Sequence, residues 1–451
     1  MQTPKQLKKQ SIYVVDAKKK FAQKYIKESI AKGAVALITN KYLRKFLIPQ
    51  YIVKDINKNK KILLCKLFTH PPLNSIAVTG TNGKTSVAWF ISQICELNNK
   101  LIKTYGTLGY YKNGKKIVNS NLTTPEFEIL YECAFLKKKK NLYNFVFEVS
   151  SHSLVQNRIK NFPINIAAIT NISHDHLDYH KTFKNYKKSK LRLFTQKLNK
   201  NGIAIINDNI KGILTLKNQL IKKNQVISYG KKNSHVNIIS TKNKIEIKIF
   251  SKKYLVNVSN YSPIELENIT CAICCCLGLK IKINDIIKVL PKIIKPKGRL
   301  EEVGKLNNNS TIYVDYAHTP DALKNVLISK TFLKIKPNIV FGCGGDRDKD
   351  KRLLMGSIAN RYANKVYITD DNPRHEDPKK IRKAILSKCK KATEIPDRKI
   401  AIREAMNDLQ KNEILIIAGK GHEKKQIRKN KIKFFDDAQI AKYFLMKQTC
   451  V

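Results

Sequence analysis

Between Ser75 and Leu97 the chain carries the run SIAVTGTNGKTSVAWFISQICEL, whose residue types and spacing are those of a phosphate cradle. An apolar run, Ile76-Ala77-Val78, enters the turn Gly80-Thr81-Asn82-Gly83. Lys84, Thr85 and Ser86 then open a stretch with helical spacing of apolar residues, Val87, Phe90, Ile91 and Ile94. Glycines let backbone N–H groups approach phosphate oxygens, and a helix start adds positive potential. In such an arrangement Lys84 reaches the outer phosphates and the Thr85 hydroxyl ligates Mg2+. Val78 stands where the common G-x-x-x-x-G-K-[ST] pattern has its first glycine, and a plain strand-to-helix turn is the competing reading. The Lys-Thr pair in a strand–helix context favours phosphate.

Other candidate chemistry follows the same logic. Asn144 to Val149, NFVFEV, reads as a buried strand that brings Glu148 to its carboxyl end, ahead of Ser150-Ser151-His152. Open α/β sheets bind ligands at that end, so Glu148 is a candidate Mg2+ ligand, against the alternative of a solvated edge carboxylate. A second strand-like run, Ile164 to Thr170, delivers Asn171-Ile-Ser-His-Asp-His-Leu-Asp-Tyr-His180, with three His and two Asp inside seven positions. Metal or phosphate chemistry is the natural use of such a cluster, some members serving structure. The hydroxyls of Ser120-Asn-Leu-Thr-Thr-Pro-Glu126 bind a ligand or cap a helix, and taken alone the cap is the better reading. Lys190, in the helix-like stretch Tyr186 to Phe194, reads by pattern as a solvated lysine.

These residues need strands and helices to hold them. Up to about Leu73 the pattern predicts a small βαβ-like unit, with strands at Ser11–Val15 and Ala34–Thr39 and a helix at Ala22–Lys32. Pro71-Pro72 marks a boundary. A middle unit, residues 74–297, holds the glycine loop and continues through a strand at Gly202–Asn207, a polar strand-rich stretch to about Val258, and a cysteine-rich helix. After the linker Pro291–Gly298, a last unit, 298–451, has a strand at Thr311–Asp315 and a Thr319-Pro320 helix start. Three apolar strands then run into charged or glycine turns. Asn338–Phe341 leads to Gly342-Cys-Gly-Gly-Asp-Arg347, Val366–Thr369 to Asp370-Asp-Asn-Pro-Arg374, and Ile414–Ala418 to Gly419-Lys-Gly-His-Glu423. Strands alternating with helices predict an α/β fold of three domains, with the site at one sheet edge.

At 451 residues the chain is long enough for two or three cores. No apolar run approaches the ~18 residues of a membrane span, and MQTPKQLKKQ lacks a signal-peptide core, so a cytoplasmic address is expected. The ten cysteines show no disulfide or zinc spacing, and Cys271, Cys274, Cys275 and Cys276 read as small buried hydrophobes. The formal charge of +53 raises a nucleic-acid reading. The lysines, however, are dispersed, as at Lys137–Lys140, Lys222-Lys223 and Lys231-Lys232, and few aromatics alternate with them. Such a field still gathers anionic substrates.

In order and spacing, Thr79-Gly-Thr-Asn-Gly-Lys-Thr85, Glu148-Val-Ser-Ser-His152, Asn171 with Asp175-His-Leu-Asp178, Asp315-Tyr-Ala-His-Thr-Pro320 and Gly344-Gly-Asp-Arg347 resemble the Mur ligases, ATP-dependent amide-forming enzymes of peptidoglycan synthesis. The resemblance covers nearly the whole chain from Leu73 onward. It implies a small uridine-nucleotide domain, a central ATPase domain and a C-terminal Rossmann-like domain that swings to close the site. Asp371-Asn-Pro-Arg374 followed by Gly419-Lys-Gly-His-Glu423 looks like the branch that adds meso-diaminopimelate to UDP-N-acetylmuramoyl-L-alanyl-D-glutamate.

Carried over position by position, the resemblance implies that Gly80, Thr81, Asn82, Gly83, Lys84, Thr85 and Ser86 bind ATP phosphates. Arg299 and Asp315 contact the nucleotide from the last domain. Thr85 and Glu148 hold one of two Mg2+ ions, and His176 helps hold the second. Lys190 matches the lysine that the family carbamylates. Thr123, Thr124, Ser150, Gln156 and Arg158 match residues that grip the muramoyl-dipeptide. The acceptor amino acid falls to Arg347, Asp371, Asn372, Pro373, Arg374, Gly419 and Glu423. Arg374 would pair the distal carboxylate of diaminopimelate and Glu423 its distal ammonium. The family's first domain usually carries an extra segment ahead of the strand matched by Ile12–Val15, so a shortened uridine domain is expected and no uridine residue is assigned in it.

The alternatives are a lysine-adding or folate-extending ligase of the same fold, a basic nucleic-acid-stimulated ATPase, and a non-catalytic relic. Asp371-Asn-Pro-Arg374 argues against lysine, and Thr123-Thr124 with Glu148-Val-Ser-Ser-His152 against folate. No nucleic-acid recognition module is evident, and the intact motifs weigh against a relic. A monomer acting on small molecules, with no membrane or nucleic-acid partner, is expected.

Overall fold

The computed structural model describes residues 10–19, 21–120, 122–137, 143–240, 245–256, 261–329 and 335–449. MQTPKQLKK at the amino terminus, Asn121, Lys138 to Lys140 and the end of the strand-rich stretch at 257–260 lie outside the described residues. The chain forms two compact units, Met1–Pro72 with Glu126–Asn141, and Leu73–Pro125 with Leu142–Val451.

In the first unit the strands Ser11–Val15, Ala34–Thr39 and Gln50–Ile52 pair in parallel, and the helix Ala22–Ala31 makes the first crossover. The apolar positions Tyr13, Val15, Ile26, Leu37 and Phe46 form its core. Asp55 caps the helix Ile56–Leu67 by accepting from Lys58 N–H at 2.9 Å. The helix Phe127–Ala134 belongs to this unit, and Lys60 pairs with Glu128 at 3.0 Å.

The second unit holds two large sheets. In the eleven-stranded sheet, Asn74–Thr79 lies between the parallel strands Ile166–Ile169 and Asn144–Val149. Antiparallel pairs close both edges, Gly109–Lys112 with Lys115–Val118 at one and Ile245–Ile249 with Lys252–Val256 at the other. The central strands are apolar on both faces because helices cover both, the composition expected of buried parallel strands. The helix Lys84–Leu97 packs against the cysteine-rich helix Pro263–Gly278. The latter starts with a Ser262–Glu265 capping box and Pro263 in its first turn. Cys271, Cys274, Cys275 and Cys276 are fully buried free thiols in this core.

The six-stranded sheet runs in the order Glu301–Lys305, Thr311–Asp315, Ile414–Ala418, Asn338–Phe341, Val366–Ile368, Ala392–Glu394, all parallel but the first. Thr319 caps the helix Pro320–Leu327 through Ala322 N–H, as the sequence predicts. Apolar clusters cover both faces, one around Phe341, Met355 and Ile385, the other around Ile402, Met406 and Ile417. Beneath the carboxyl end of Ile414–Ala418, Arg398 donates to both oxygens of Asp437, at 2.8 and 2.7 Å, and to Ala418 O at 2.9 Å. Both partners of this pair are completely buried.

Candidate active site

The glycine loop is shaped by contacts that leave no room for side chains. A Cβ on Gly80 (φ +150°) would lie 1.8 Å from Thr170 Oγ1, and one on Gly83 (φ +82°) 2.3 Å from Asn268 Oδ1. Residues after the neighbouring strand clamp the loop. Asn171 O accepts from Thr81 N–H and Asn171 Oδ1 from Asn82 N–H, both at 2.9 Å, while Thr170 Oγ1 donates to Asn82 O at 2.5 Å. The Thr81 hydroxyl meets Tyr186 Oη at 3.0 Å. Lys84 Nζ folds over the loop and donates to Gly80 O and Thr81 O, both at 2.8 Å.

Glu148 stands beside the loop, 1% exposed, and its carboxylate is held on three sides. Oε1 accepts from Thr107 N–H at 2.7 Å; Oε2 accepts from Thr107 Oγ1 at 3.1 Å and from Thr85 Oγ1 at 3.0 Å. Burial pushes the Glu148 carboxyl above its ordinary range and the Lys84 ammonium below its own, each opposed by the charge of the other. Thr107 is a neighbour of this carboxylate that sequence reasoning missed; its only signal is a Gly-Thr pair at the end of the strand Ile102–Gly106.

Lys190 departs from the pattern reading. It is 1% exposed rather than solvated, donates to Gly80 O at 2.7 Å and lies 4.7 Å from the centre of the Tyr186 ring. The mixed-face helix Phe183–Arg192 buries this side chain because the helix packs beneath the loop. Burial, with Lys84 nearby, drives its ammonium well below the usual lysine range. In the His/Asp cluster, His176 adopts a left-handed φ of 55° and sits 3.3 Å from Asp175 Oδ2. Burial lowers His176 to about 3 against the pull of Asp175. His180 bonds Ser151 Oγ at 2.9 Å.

The stretch read as a helix cap does something else. The helix Phe127–Ala134 has no side-chain cap. Instead Thr124 Oγ1 donates to Glu148 O at 2.8 Å and accepts from Ser150 N–H at 2.9 Å, and Arg158 Nη1 donates to Thr124 O at 3.0 Å. Thr123 Oγ1 lies 3.3 Å from Thr107 Oγ1 and donates to it, since the Thr107 proton is committed to Glu148. Strand pairing puts this turn next to Glu148, which outweighs its local capping tendency. Gln156 ends the short helix Ser151–Val155 and is exposed.

From the six-stranded sheet, Arg299 crosses to the loop, with Nη2 3.3 Å from Thr85 Oγ1 and its guanidinium 4.4 Å from the Tyr316 ring centre. Thr319 Oγ1 approaches Asn82 Oδ1 at 3.4 Å, and His174 bonds Asp348 at 3.1 Å. Asp315 spends both oxygens on backbone, accepting from Leu300 N–H at 2.6 Å and Ala317 N–H at 2.7 Å. The two sheets thus face each other with their carboxyl edges across one cleft.

Three loops of the six-stranded sheet form a second cluster in that cleft. Arg374 (φ 52°) donates through Nη1 to Gly345 O at 2.8 Å and Asn372 O at 3.4 Å. Asn372 Nδ2 donates to Glu423 Oε2 at 3.1 Å, and Tyr316 Oη to Glu423 Oε1 at 3.4 Å. Pro373 is buried, and its carbonyl would lie 1.9 Å from a Cβ on Gly345. Gly419 (φ +111°) approaches Asp371, whose Oδ2 would lie 2.8 Å from an added Cβ. Burial lowers the pKa of His152 and of Arg374 below their ordinary values, and the charge of the exposed Arg347 nearby acts in the same direction on both.

Comparison with known proteins gives the family of the chain. Residues 78–276 match the family described as the Mur ligase middle domain, and residues 298–421 the Mur ligase, glutamate ligase domain. The UDP-N-acetylmuramoyl-L-alanyl-D-glutamate–2,6-diaminopimelate ligase of Rickettsia rickettsii is 39% identical over 433 residues, covering 93% of this chain and 89% of that protein. The protein of the same name from Buchnera aphidicola is 39% identical over 392 residues, covering 83% and 76%. A solved structure of a ligase of that name superposes with TM-score 0.62 at 27% identity over 99% of this chain and 94% of the other. The MurF ligase of Thermotoga maritima, solved in complex with ADP, shares the fold, with TM-score 0.71 at 16% identity over 99% and 96%.

Proposed function

Because the chain belongs to the Mur ligase family, we propose that it is an ATP-dependent ligase adding meso-2,6-diaminopimelate to UDP-N-acetylmuramoyl-L-alanyl-D-glutamate, in peptidoglycan precursor synthesis. The observation that carries this reading is the meeting of the glycine loop, Glu148 and the Asp371–Arg374 and Gly419–Glu423 turns along one cleft. The working division is a uridine-nucleotide domain at 1–73, an ATP-binding domain at 74–297 and an amino-acid-binding domain at 298–451.

In the reaction, the substrate's D-glutamate carboxylate attacks the γ-phosphorus of ATP, forming an acyl phosphate and releasing ADP. The amine of diaminopimelate then attacks the acyl carbon; phosphate leaves and the nitrogen gives up a proton as the amide forms. Gly83–Ser86, at the helix start, present backbone N–H groups to the phosphates while Asn171 holds the Thr81 and Asn82 N–H groups, and Lys84 swings from Gly80 O and Thr81 O onto the outer phosphate oxygens. Arg299 adds positive charge from the facing sheet, while Asp315 acts by holding the Leu300 and Ala317 backbone beside it. Thr123, Ser150, Gln156 and Arg158 line the muramoyl-dipeptide path, and the buried Thr124 shapes it by tying its turn to Glu148 O and Ser150 N–H.

Among the described residues no group of three or more His, Cys, Asp or Glu forms a metal cage. Thr85 Oγ1 and Glu148 Oε2, adjacent oxygens at 3.0 Å, fit Mg2+, which binds through one or two protein oxygens together with substrate phosphates. His176 would help hold a second ion with Lys190 as a carbamate, which burial prepares by favouring the neutral amine: its nitrogen would add CO2, forming an N–C bond, and lose a proton. Bound Mg2+ would neutralise charge on the transferring phosphoryl group.

Acceptor choice rests on Arg374. Its Nη1 is spent on Gly345 O and Asn372 O, which fixes the plane of the fork and leaves the Nε–Nη2 edge for the distal carboxylate. Lysine would leave that edge unpaired, and discrimination of roughly 10⁴-fold is within reach of such a site. A coupled ADP assay with the muramoyl-dipeptide nucleotide and a panel of amino acids tests this. ADP formation with lysine equal to that with diaminopimelate would sink the assignment.

Further parts of the reading are a monomer working in the cytoplasm on small molecules. Among the described residues no helix is long and apolar enough to cross a membrane.

A further inference from the structure

Lys420 sits in the Gly419–Glu423 turn with its side chain wholly buried, and no role above uses it. A buried ammonium is costly unless partners surround it. Its partners are Lys425 O at 2.5 Å, Asn372 Oδ1 at 3.3 Å and Glu423 Oε2 at 3.8 Å. Asn372 Oδ1 also accepts from Ile427 N–H at 2.9 Å. Two donors therefore commit the amide oxygen, and the amide nitrogen must point the other way, to Glu423 Oε2 at 3.1 Å. Lys420 thus joins the two turns through a wholly buried ammonium.

We propose that Lys420 is the positioning residue of the acceptor pocket: it orients the Asn372 amide toward Glu423 and supplies the counter-charge that keeps Glu423 a carboxylate able to receive the distal ammonium of the amino acid. This rests on the acceptor-pocket reading above. The charged and titratable groups facing Glu423 are Asp371 and Arg374 from the turn after Val366–Ile368, Tyr316 from the turn after Thr311–Asp315, Arg398 from the helix Arg398–Asn407, and Lys420 itself. Burial and Asp371 raise the Glu423 carboxyl; Lys420, Asn372 and Arg374 oppose them. Removing the Lys420 charge raises it further, so Glu423 takes up a proton at higher pH.

The test is steady-state ADP release by the full-length chain and its Lys420→Gln variant, which retains a donor but no charge. Lys420→Gln is expected to raise the KM for diaminopimelate about tenfold, with the KM values for ATP and the muramoyl-dipeptide nucleotide within about twofold of the parent. The acid limb of kcat/KM for diaminopimelate should move up by about one pH unit. Lys420→Arg, which restores the charge, should return that limb to its original position. An unmoved limb in Lys420→Gln, with all three KM values rising together, would mark a merely structural lysine and overturn the proposal. Should Lys420→Gln fail to fold, a shifted limb in Lys420→Arg overturns it equally, and an unshifted one supports it. Absence of diaminopimelate-dependent ADP release by the unaltered chain overturns the acceptor reading, and this proposal with it.

Discussion

Gly106→Ala tests whether Glu148 works through its placement. Gly106 ends the strand Ile102–Gly106 and is buried against Glu148. A Cβ there would stand 2.0 Å from Oε1, 2.7 Å from Cδ and 2.9 Å from Cγ. Ordinary contact begins at 3.4 Å, so the carboxylate must retreat by about 1.4 Å (3.4 − 2.0). That movement breaks the 2.7 Å bond from Thr107 N–H and strains those from Thr107 Oγ1 and Thr85 Oγ1. Hydrogen bonds to a charged group contribute about 1.5–3 kcal/mol each, so a loss of roughly 3 kcal/mol of stability is expected. Misplacing a phosphate-site group by more than 1 Å should lower kcat about 10²-fold.

Elsewhere in a strand, Gly→Ala stabilises by about 0.5–1 kcal/mol, so the sign itself is diagnostic. In a Glu148→Ala background the added methyl meets no carboxylate, and the destabilisation should vanish, a coupling of about 3 kcal/mol in a double-mutant cycle. ADP release gives kcat, and denaturant melts give stability. A Gly106→Ala enzyme within about threefold of wild-type kcat, or a stability loss that persists without Glu148, would refute the reasoning.

Three further outcomes follow from named contacts. Lys84→Ala should abolish ATP turnover with every acceptor, and full phosphate release by that variant would remove the phosphate assignment. Arg398→Met strands Asp437 as a buried unpaired charge, which should lower stability by about 3–5 kcal/mol and Tm by roughly 6–20 °C in calorimetry; an unchanged Tm would contradict the burial of that pair. Burial lowers His318 to about 4 and His422 to about 3. Both are neutral when folded and take up protons near pH 6.5 when unfolded. Their contribution is therefore present above pH 6.5 and is lost as pH falls through the folded values, by about 1.4 kcal/mol per pH unit for each group. Melting curves from pH 7 to pH 4 check the slope, and His318→Gln should flatten it; an unaltered slope in that variant would exclude His318 as a source.

Much of the site was legible because its chemistry is local. A strand, a glycine turn and a Lys-Thr helix start occupy consecutive positions, so residue types from Ile76 to Ile94 specify the loop and its helix without help from afar. The same holds for Glu148 at a strand end and for the turns at Asp371–Arg374 and Gly419–Glu423, whose place follows from the rule that parallel strands present ligand sites at their carboxyl ends. Local pattern misjudged Thr123-Thr124, where pairing to a distant strand, rather than the adjacent helix, takes up the Thr124 hydroxyl.

Sequence alone therefore determined which residues have the chemistry, and in what order they meet the solvent edge of each sheet. Tertiary structure alone decided which charges lose their water. Lys190 became a buried amine through Gly80, 110 residues away; Thr107 reached Glu148 across 41 residues, and Arg398 reached Asp437 across 39. Periodicity and turn chemistry act over a few residues and are written in them. The environment that sets a charge's protonation comes from whatever packs against it, and that is supplied by segments far along the chain.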